Sequence, residues 1–501
     1  MRAAEAKGAM AAAAGVALAA RIPRGYMSKL WFESALLPEG WATGVRVTTL
    51  EGRIARIETG AAPERDDERH SIGLPGLPNV HSHAFQRGLA GLTERRGPTG
   101  DSFWTWRELM YRFVERLDPD GVEAIAALVY AEMLEGGFTH VGEFHYLHHD
   151  LGGKPFANPA EIAERIAAAA ELTGMGLTLL PTFYAHSGFG AKAPSPRQRR
   201  FINDVDGFAR IVEGSRAAVR RLPGAVVGIA PHSLRAVTPE ELAAIVPLAR
   251  GEVIHIHIAE QTQELEDCLA WCGRRPIEWL LQNQAVDERW CLVHATHVTD
   301  EEVRGMAACG AVVGLCPITE ANLGDGIFPA SAFLAAGGRF GIGSDSNILL
   351  DAAEELRILE YSQRLSQRAR NVLAKAEGSS TGRSLLESAY AGGTRALHSV
   401  RELEVPAGKT GGEEKGAGTG SAATGALKVG SSADLVSLNA AHPALAERRE
   451  DEILDSWIFA AGRAVVDCVW RAGAKVVING RHHRRDALLT TYRGALKKLL
   501  T

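Results

Sequence analysis

Gly73-Leu-Pro-Gly-Leu-Pro-Asn-Val-His-Ser-His83 is a short apolar run that ends in two histidines separated by one residue. In an extended strand, residues i and i+2 point to the same side, so His81 and His83 would stand next to each other. Such a pair can supply two imidazole ligands to one metal ion. The same pattern also suits two ordinary structural histidines, so the interpretation depends on whether the rest of the chain supplies further ligands.

Seven more apolar runs follow this one, with helical sequence between them. Capping-box patterns at Thr238-Pro-Glu-Glu241 and Thr299-Asp-Glu-Glu302 mark two of the helix starts. Alternating strands and helices are typical of α/β folds, and eight such units predict a (β/α)8 barrel of the TIM type. The eight runs are Leu74–His83, Thr139–His145, Leu177–Tyr184, Val226–Ser233, Val253–Glu260, Cys291–His297, Ala311–Pro317 and Arg339–Ser346.

The two ends of the chain contain short strand patterns, too few at either end to form a core alone. We therefore expect one small β-sandwich built from residues 28–73 and 428–480, around a barrel at 74–400. A Gly-rich segment at 401–427 is predicted to be a linker or insertion. We expect residues 1–27 to form a disordered extension and residues 481–501 to form a helical tail.

The composition fits a globular enzyme of one large and one small domain. The chain has 501 residues, of which 46% are hydrophobic, and a net charge of −5. This charge gives no reason to expect nucleic acid or an anionic membrane as a partner. No stretch approaches the ~20 apolar residues of a membrane span. The six cysteines are sparse and irregularly spaced, which is typical of reduced thiols in a cytoplasmic protein.

Polar side chains end most of the runs, and in a TIM-type barrel the carboxyl ends of the strands form the site. The metal ligands are predicted to be His81, His83, His257 and Asp345, with His294 as a base or a supporting residue. One zinc ion suits these groups, although iron or manganese also accepts nitrogen and oxygen ligands. The fourth run carries no lysine, and this favours one metal over a bridged pair.

Five further histidines are expected to stay outside the metal site. His255 shares a face with His257 but lies deeper, so it is predicted to be a core or supporting residue. Among His140, His145, His148 and His149, only His145 ends a run; the others are predicted to sit in a solvated loop.

The residues and their spacing resemble the deaminase branch of the amidohydrolase superfamily, and within it the formimidoylglutamate deiminase family. The resemblance covers nearly all of residues 28–480. It is carried by the segments Asn79-Val-His-Ser-His-Ala-Phe-Gln-Arg87, Phe103-Trp-Thr-Trp-Arg107, Gly142-Glu-Phe-His-Tyr146, Pro231-His-Ser-Leu-Arg235, His257-Ile-Ala-Glu260 and Cys316-Pro-Ile-Thr-Glu-Ala-Asn-Leu-Gly324.

This resemblance implies hydrolytic deimination of N-formimino-L-glutamate in histidine degradation, in an enzyme that is commonly a homodimer. It implies that Glu260, His294 and Asp345 handle protons. It further implies substrate contacts from five residues, and among these the two arginines would bind the two carboxylates of the substrate. The five are Gln86, Arg107, Tyr146, His232 and Arg235.

Two other functions are compatible with parts of the pattern. A purine or pterin deaminase would use the same metal ligands, but a ring substrate favours aromatic or amide partners over two arginines. A non-catalytic assembly module on the same fold would have lost its ligands, and here they are all present. The segment Ala185–Asn203, rich in glycine, proline and basic residues, is either a mobile lid or a solvated loop.

Overall fold

The computed structural model describes residues 27–97, 101–398 and 427–500. The strands are β1 Met27–Leu37, β2 Gly40–Leu50, β3 Arg53–Glu58, β4 Glu68–Pro75, β5 Leu77–Ser82, β6 Phe138–His145, β7 Gly176–Phe183, β8 Val226–Val227, β9 Ala230–Pro231, β10 Ile254–Ile258, β11 Trp290–His294, β12 Val312–Leu315, β13 Arg339–Ile342, β14 Leu435–Leu438, β15 Val466–Arg471, β16 Ala474–Ile478 and β17 Arg481–His482.

The α-helices are α1 Phe103–Val114, α2 Pro119–Glu135, α3 Glu161–Thr173, α4 Val205–Ala218, α5 Pro239–Ile245, α6 Thr262–Cys272, α7 Pro276–Asn283, α8 Asp300–Cys309, α9 Pro317–Leu323, α10 Ala330–Ala335, α11 Ala352–Gln367, α12 Thr381–Leu397, α13 Asp451–Ser456 and α14 Arg485–Leu500. Among the residues described, no helix is long and apolar enough to cross a membrane.

A parallel barrel forms the centre of the molecule. Its strands follow one another in the order β10, β11, β12, β13, β5, β6, β7 and β8, and β9 also pairs with β7. Isolated parallel bridges between Ile229 and Ile254 and between Ser233 and His257 close the circle. Each of the eight predicted runs coincides with a barrel strand, and the (β/α)8 class is confirmed.

The fourth barrel strand is broken into β8 and β9, which the sequence did not predict. Gly228 lies at the break, where an added Cβ would come within 2.5 Å of the carbonyl oxygen of Val253. Pro231 in β9 has no N–H to donate to a neighbouring strand. The strand therefore pairs weakly, and its polar end at His232 lies next to β10.

The two predicted capping boxes are present. The N–H of Glu241 donates to the Thr238 hydroxyl at 3.2 Å, and the N–H of Thr238 donates to the Glu241 carboxylate at 2.8 Å. Thr299 and Glu302 repeat the arrangement with the same distances. These reciprocal bonds satisfy N–H groups that lack a partner within the first helical turn, so α5 and α8 begin where the sequence predicts.

Strands from both chain ends form a second, eight-stranded sheet in the order β17, β16, β15, β14, β4, β1, β2 and β3. The pair β1–β4 is parallel, whereas β14 from the C-terminal part pairs antiparallel with β4. The prediction that both ends build one unit is confirmed. Because β4 continues through Gly76 directly into β5, this sheet holds the start of the first barrel strand.

The end sheet has its own apolar core. Its buried members come from both ends of the chain and include Leu30, Phe32, Val45, Val47, Leu435 and Trp470. The predicted disordered extension and Gly-rich linker lie outside the described residues, except at Met27 in β1 and at Leu427, and the predicted domain limits stay predictions.

The segment 185–203 is held by many contacts, of which three show how it is anchored. Nε2 of His186 lies 2.9 Å from the Glu241 carboxylate, and the ring of Phe189 stacks on Trp271 at 5.5 Å between centroids. Nε2 of Gln198 donates to the Tyr184 hydroxyl at 2.7 Å. The segment is therefore anchored to α5, to α6 and to the end of the third barrel strand.

Candidate active site

Four predicted metal ligands meet at the carboxyl end of the barrel. The Nε2 atoms of His81, His83 and His257 are 3.0 to 3.3 Å from one another. Oδ1 of Asp345 is 3.2 Å from Nε2 of His81 and 3.3 Å from that of His83. All four side chains are buried. The structure thus brings together residues from three different strand ends.

The tautomers of two of these histidines indicate what the cluster binds. Nδ1 of His83 donates to the carbonyl oxygen of Phe144 at 2.7 Å, and Nδ1 of His257 donates to that of His232 at 2.9 Å. Their Nε2 atoms therefore carry no proton and turn lone pairs toward each other at 3.3 Å. Such an arrangement is repulsive unless a cation lies between the two nitrogens.

The spacing also suits a small divalent metal. Zn–N bonds of about 2.0–2.1 Å in a tetrahedron place the ligand atoms about 3.3 Å apart. Burial lowers the pKa of His81 to about 3 and also lowers the pKa of His83, so both imidazoles stay neutral, as metal binding requires. Although burial opposes it, the hydrogen bond with His81 lowers the pKa of Asp345, which stays ionised. The cluster fits the metal that the sequence predicts.

His294 and Glu260 lie beside the cluster. Nε2 of His294 is 3.8 Å from Oε1 of Glu260, and its Nδ1 is 3.2 Å from Oε1 of Glu320. Burial opposes a positive charge on His294, but Glu260 and Glu320 raise its pKa to about 10. Burial raises the pKa of Glu260 to about 7. This pair can therefore hold or pass a proton near neutral pH.

Two glutamates that sequence reasoning did not assign support this pair. Glu320 also accepts the N–H of Cys316 at 2.8 Å, which fixes its carboxylate against His294. Glu264 accepts the N–H of Glu260 at 3.2 Å. Glu320 lies within a segment that carries the family resemblance, and Glu264 follows Glu260 by one helical turn; neither spacing alone indicates a contact.

The backbone is strained at two of the site residues. His294 has a φ of 68° and Asp345 a φ of 42°, both in the left-handed region that residues other than glycine rarely occupy. Such strain concentrates at functional sites, where the surrounding structure fixes it.

The five predicted substrate contacts line one pocket together with Glu260, His294 and three members of the metal cluster, His83, His257 and Asp345. The pocket has a volume of about 560 Å³, including the part that is open to solvent. Nε2 of Gln86 donates to the Tyr146 hydroxyl at 2.9 Å. The ring of His232 lies 4.9 Å from that of His257 and 4.5 Å from that of Tyr184. All predicted site residues except the fully buried His81 therefore line a single pocket.

The two arginines of the pocket have no carboxylate partner among the residues described. Arg107 donates to the hydroxyls of Tyr111 at 2.6 Å and Tyr184 at 3.2 Å. Arg235 is only 7% exposed, and its Nε has no hydrogen-bond partner in the described part of the chain. Both guanidinium groups lie near the ring of Trp104, at 5.4 and 5.8 Å from its centroid.

The five histidines that were expected to stay outside the metal site are all buried. The prediction of a solvated loop for His140, His148 and His149 is wrong. His140 lies within β6, and Nε2 of His148 and of His149 each contacts a backbone carbonyl at 2.8 Å. These carbonyls belong to residues 182 and 202, which the sequence gives no means of placing nearby. His255 is buried, as predicted, and contacts the carbonyl oxygen of Ala396 at 2.8 Å.

A parallel barrel with three imidazoles and a carboxylate at the strand ends, beside a histidine–glutamate pair, defines a hydrolase with a metal-binding site. The chain belongs to the amidohydrolase family, whose model matches residues 72–385. The model of the N-terminal domain of formimidoylglutamate deiminase HutF matches residues 27–71.

Individual relatives agree with this assignment. The chain is 48% identical to formimidoylglutamate deiminase of Pseudomonas aeruginosa over 95% of its own length and 100% of the relative's. A solved amidohydrolase from Brucella melitensis is 53% identical, with a TM-score of 0.87 over 95% of this chain and 100% of that one. An adenosine deaminase from Xanthomonas campestris, solved with bound zinc, shares the fold at 23% identity and a TM-score of 0.73, over 94% of this chain and 98% of that one.

Proposed function

We propose that the protein hydrolyses N-formimino-L-glutamate to N-formyl-L-glutamate and ammonia, with one zinc ion as cofactor, in histidine degradation. The full-length similarity to the Pseudomonas aeruginosa enzyme supports the reaction. The observation that carries the substrate assignment is the pair Arg107 and Arg235 in the pocket beside the metal cluster. The donor set also accepts iron or manganese.

Two guanidinium groups without carboxylate partners favour a ligand that brings its own anions. A buried charge without a partner is costly, and a carboxylate matches a guanidinium with two parallel hydrogen bonds. N-formimino-L-glutamate carries two carboxylates, and each can bind one arginine. A purine or pterin carries none, so its binding would leave both guanidinium groups without a carboxylate partner, and we regard this second function as disfavoured.

His81, His83, His257 and Asp345 would hold the metal, which when bound supplies a Lewis acid and lowers the pKa of a water ligand from about 15.7 toward ~7. The carboxylate of Asp345 would take a proton from the attacking water, and Nε2 of His294 would do so once it has given up the proton that Glu260 and Glu320 favour on it. The carboxyl of Glu260, whose pKa is raised by burial, would deliver a proton to the imino nitrogen so that ammonia can leave.

Three other residues would orient the substrate. Tyr146 and Gln86 are bonded to each other, and the free Oε1 of Gln86, which has no partner among the residues described, can accept a hydrogen bond from the formimino group. His232 is partly buried, and this burial lowers its pKa, so its ring stays neutral and can act as a donor or an acceptor. These three groups would orient the formimino end of the substrate, while the two arginines would bind its carboxylates.

The test is ammonia release from purified protein supplied with N-formimino-L-glutamate, N-formiminoglycine or guanine, each with and without a chelator. We expect rapid, chelator-sensitive release from N-formimino-L-glutamate. N-formiminoglycine, with one carboxylate, should react with a much lower kcat/KM. Release from guanine alone would contradict the proposal, and equal rates on both formimino compounds would contradict the role of the second arginine.

We further propose that the enzyme works as a homodimer in the cytoplasm. The six cysteines are free, which suits a reducing compartment. The homodimer follows from the family resemblance. Analytical ultracentrifugation at micromolar concentration tests it, and a single species with the mass of one chain would contradict it.

A further inference from the structure

We propose that Arg87 is a positioning residue that connects two of the three segments carrying metal ligands, and that helix α14 near the C-terminus supports it through Glu132. This inference concerns the metal site and does not depend on the identity of the substrate.

Arg87 bridges two neighbouring strands of the barrel. It lies on the short 3-10 helix Ala84–Leu89, directly after the ligand His83. Its Nη1 donates to the carbonyl oxygens of Asn347 at 3.0 Å and Ile348 at 2.6 Å. These carbonyls follow the ligand Asp345 by two and three residues. One guanidinium group therefore connects the segment after β5 with the segment after β13.

The loop that receives these bonds requires external support. Asp345 and Asn347 both have positive φ, at 42° and 57°. Residues other than glycine hold such angles only where the surrounding structure fixes them. The N–H of His83 donates to the carbonyl of Asp345 at 2.9 Å, and the side-chain amide of Asn347 donates to the Ser82 hydroxyl at 3.2 Å. Arg87 adds bonds to the next two carbonyls and so completes the support.

A buried carboxylate holds Arg87 from its other side. Nη2 of Arg87 is 2.9 Å from Oε2 of Glu132 on α2. The geometry is that of an ion pair and not of a directed hydrogen bond, since Oε2 of Glu132 has no hydrogen-bond partner in the described structure. Glu132 is only 6% exposed, and a buried carboxylate without a cationic partner is costly.

The second cationic partner of Glu132 comes from the end of the chain. Nη2 of Arg485, the first residue of α14, donates to Oε1 of Glu132 at 2.7 Å. Nη1 of Arg485 is 3.0 Å from Oε2 of Glu135, one turn along α2, and the N–H of His482 donates to Oε1 of Glu135 at 3.0 Å. A continuous chain of charges thus leads from α14 through Glu132 to Arg87 and the loop after Asp345.

The consequence is an effect on metal affinity. Groups that orient metal ligands typically change affinity or activity by about 10- to 100-fold when they are removed. Arg87→Met should lower zinc affinity by about this factor. Arg87→Lys should lose less, because an ammonium can pair with Glu132 but does not reproduce the planar fork that contacts two carbonyls. Arg485→Met should give a smaller loss in the same direction.

The experiment measures zinc dissociation constants of the metal-depleted full chain by competition with a chromophoric chelator. Visible spectra of the Co²⁺ form report ligand geometry. Arg165→Met is the matched control: Arg165 pairs with Asp120 and Glu123 of α2, and in the described structure it has no hydrogen bond or ion pair with the metal-ligand loops. We expect wild-type zinc affinity and an unchanged Co²⁺ spectrum for this control.

Circular dichroism first establishes that each variant is folded. A folded Arg87→Met protein with wild-type zinc affinity and Co²⁺ spectrum would overturn the proposal. If Arg87→Met does not fold, the same measurements are made on Arg87→Lys, and wild-type zinc affinity and Co²⁺ spectrum in that variant would overturn the proposal. An Arg485→Met protein that binds zinc as tightly as Arg165→Met would overturn the bracing role of α14. Ammonia release is not part of the readout, so failure of the proposed substrate leaves this test intact.

Discussion

Oε1 of Glu260 lies 3.8 Å from Nε2 of His294, and both side chains are buried next to the metal-ligand cluster. A glutamine has nearly the same shape as a glutamate but cannot carry the proton. We expect Glu260→Gln to keep its metal and lose about 100- to 10,000-fold in kcat. Steady-state kinetics and elemental analysis of the same preparation measure both quantities. A variant with wild-type kcat would show that Glu260 does not transfer a proton in the reaction.

His81→Ala should lose metal and activity together, because it removes one of four converging ligand atoms. His255→Asn is the control, since His255 is a buried histidine whose ring makes a single hydrogen bond among the residues described, to the carbonyl of Ala396. We expect this control to retain the metal. Chelation of the wild-type protein should lower its Tm, because a ligand that binds only the folded state stabilises it. Retention of stoichiometric metal by His81→Ala would be inconsistent with the assigned ligand set.

Arg235→Ala should keep its metal and raise KM for N-formimino-L-glutamate roughly 10- to 100-fold, the range expected for losing hydrogen bonds to a charged group. The reason is that Arg235 is proposed to bind a substrate carboxylate and has no hydrogen bond or ion pair with a metal ligand among the residues described. Kinetics on N-formiminoglycine provide the comparison. This compound lacks one carboxylate and needs only one of the two arginines, Arg107 or Arg235, so its KM should change less in Arg235→Ala. Unchanged KM and kcat would refute the carboxylate contact.

Trp104→Leu should raise KM by about 2- to 30-fold with little change in kcat, since a cation–π contact contributes about 0.5–2 kcal/mol. The ring of Trp104 lies near both guanidinium groups, so its removal takes one cation–π contact from each arginine. Trp104→Phe keeps an aromatic face and should show a smaller effect. A change in kcat alone would point to a role other than holding the arginines.

Asp67→Asn should lower Tm at pH 7 by a few degrees. The difference in Tm between the variant and the wild-type protein should become smaller below about pH 4. The hydrogen bonds from Arg46, at 2.9 and 3.0 Å, lower the pKa of Asp67 below its unfolded value. The ionised carboxylate therefore stabilises the fold above the unfolded pKa, and this contribution is lost as the pH falls through the folded pKa. Asp66→Asn, at an exposed neighbouring position, should leave Tm unchanged. A difference in Tm that does not depend on pH would contradict this explanation.

The barrel and the convergence of its ligands were predictable because a strand buried on both faces is a continuous apolar run. The eight runs predict the strands, and the polar residue at the end of a run predicts which side chains meet at the carboxyl end of the barrel. The broken fourth strand was not predicted; the close approach of Gly228 to the carbonyl of Val253, at the break, joins segments that sequence patterns do not connect.

The supporting residues of the site were harder to find for a related reason. Arg87 contacts Asn347, 260 positions away in sequence. The burial of His149 depends on a contact with Ile202. Such contacts depend on how segments distant in sequence come together, and single-sequence patterns report only neighbours within a helix turn or a strand. The roles assigned to the predicted site residues stay predictions until the variants above are measured.

The sheet that unites the two chain ends has a consequence for synthesis on the ribosome. Strand β4 pairs with β1 on one side and on the other with β14, which is translated some 360 residues later. Until then, the N-terminal strands present an open edge to which another nascent chain can add. The protein is therefore expected to depend on chaperones late in translation, and chains that stop before residue 435 should aggregate even though they already contain every predicted metal ligand.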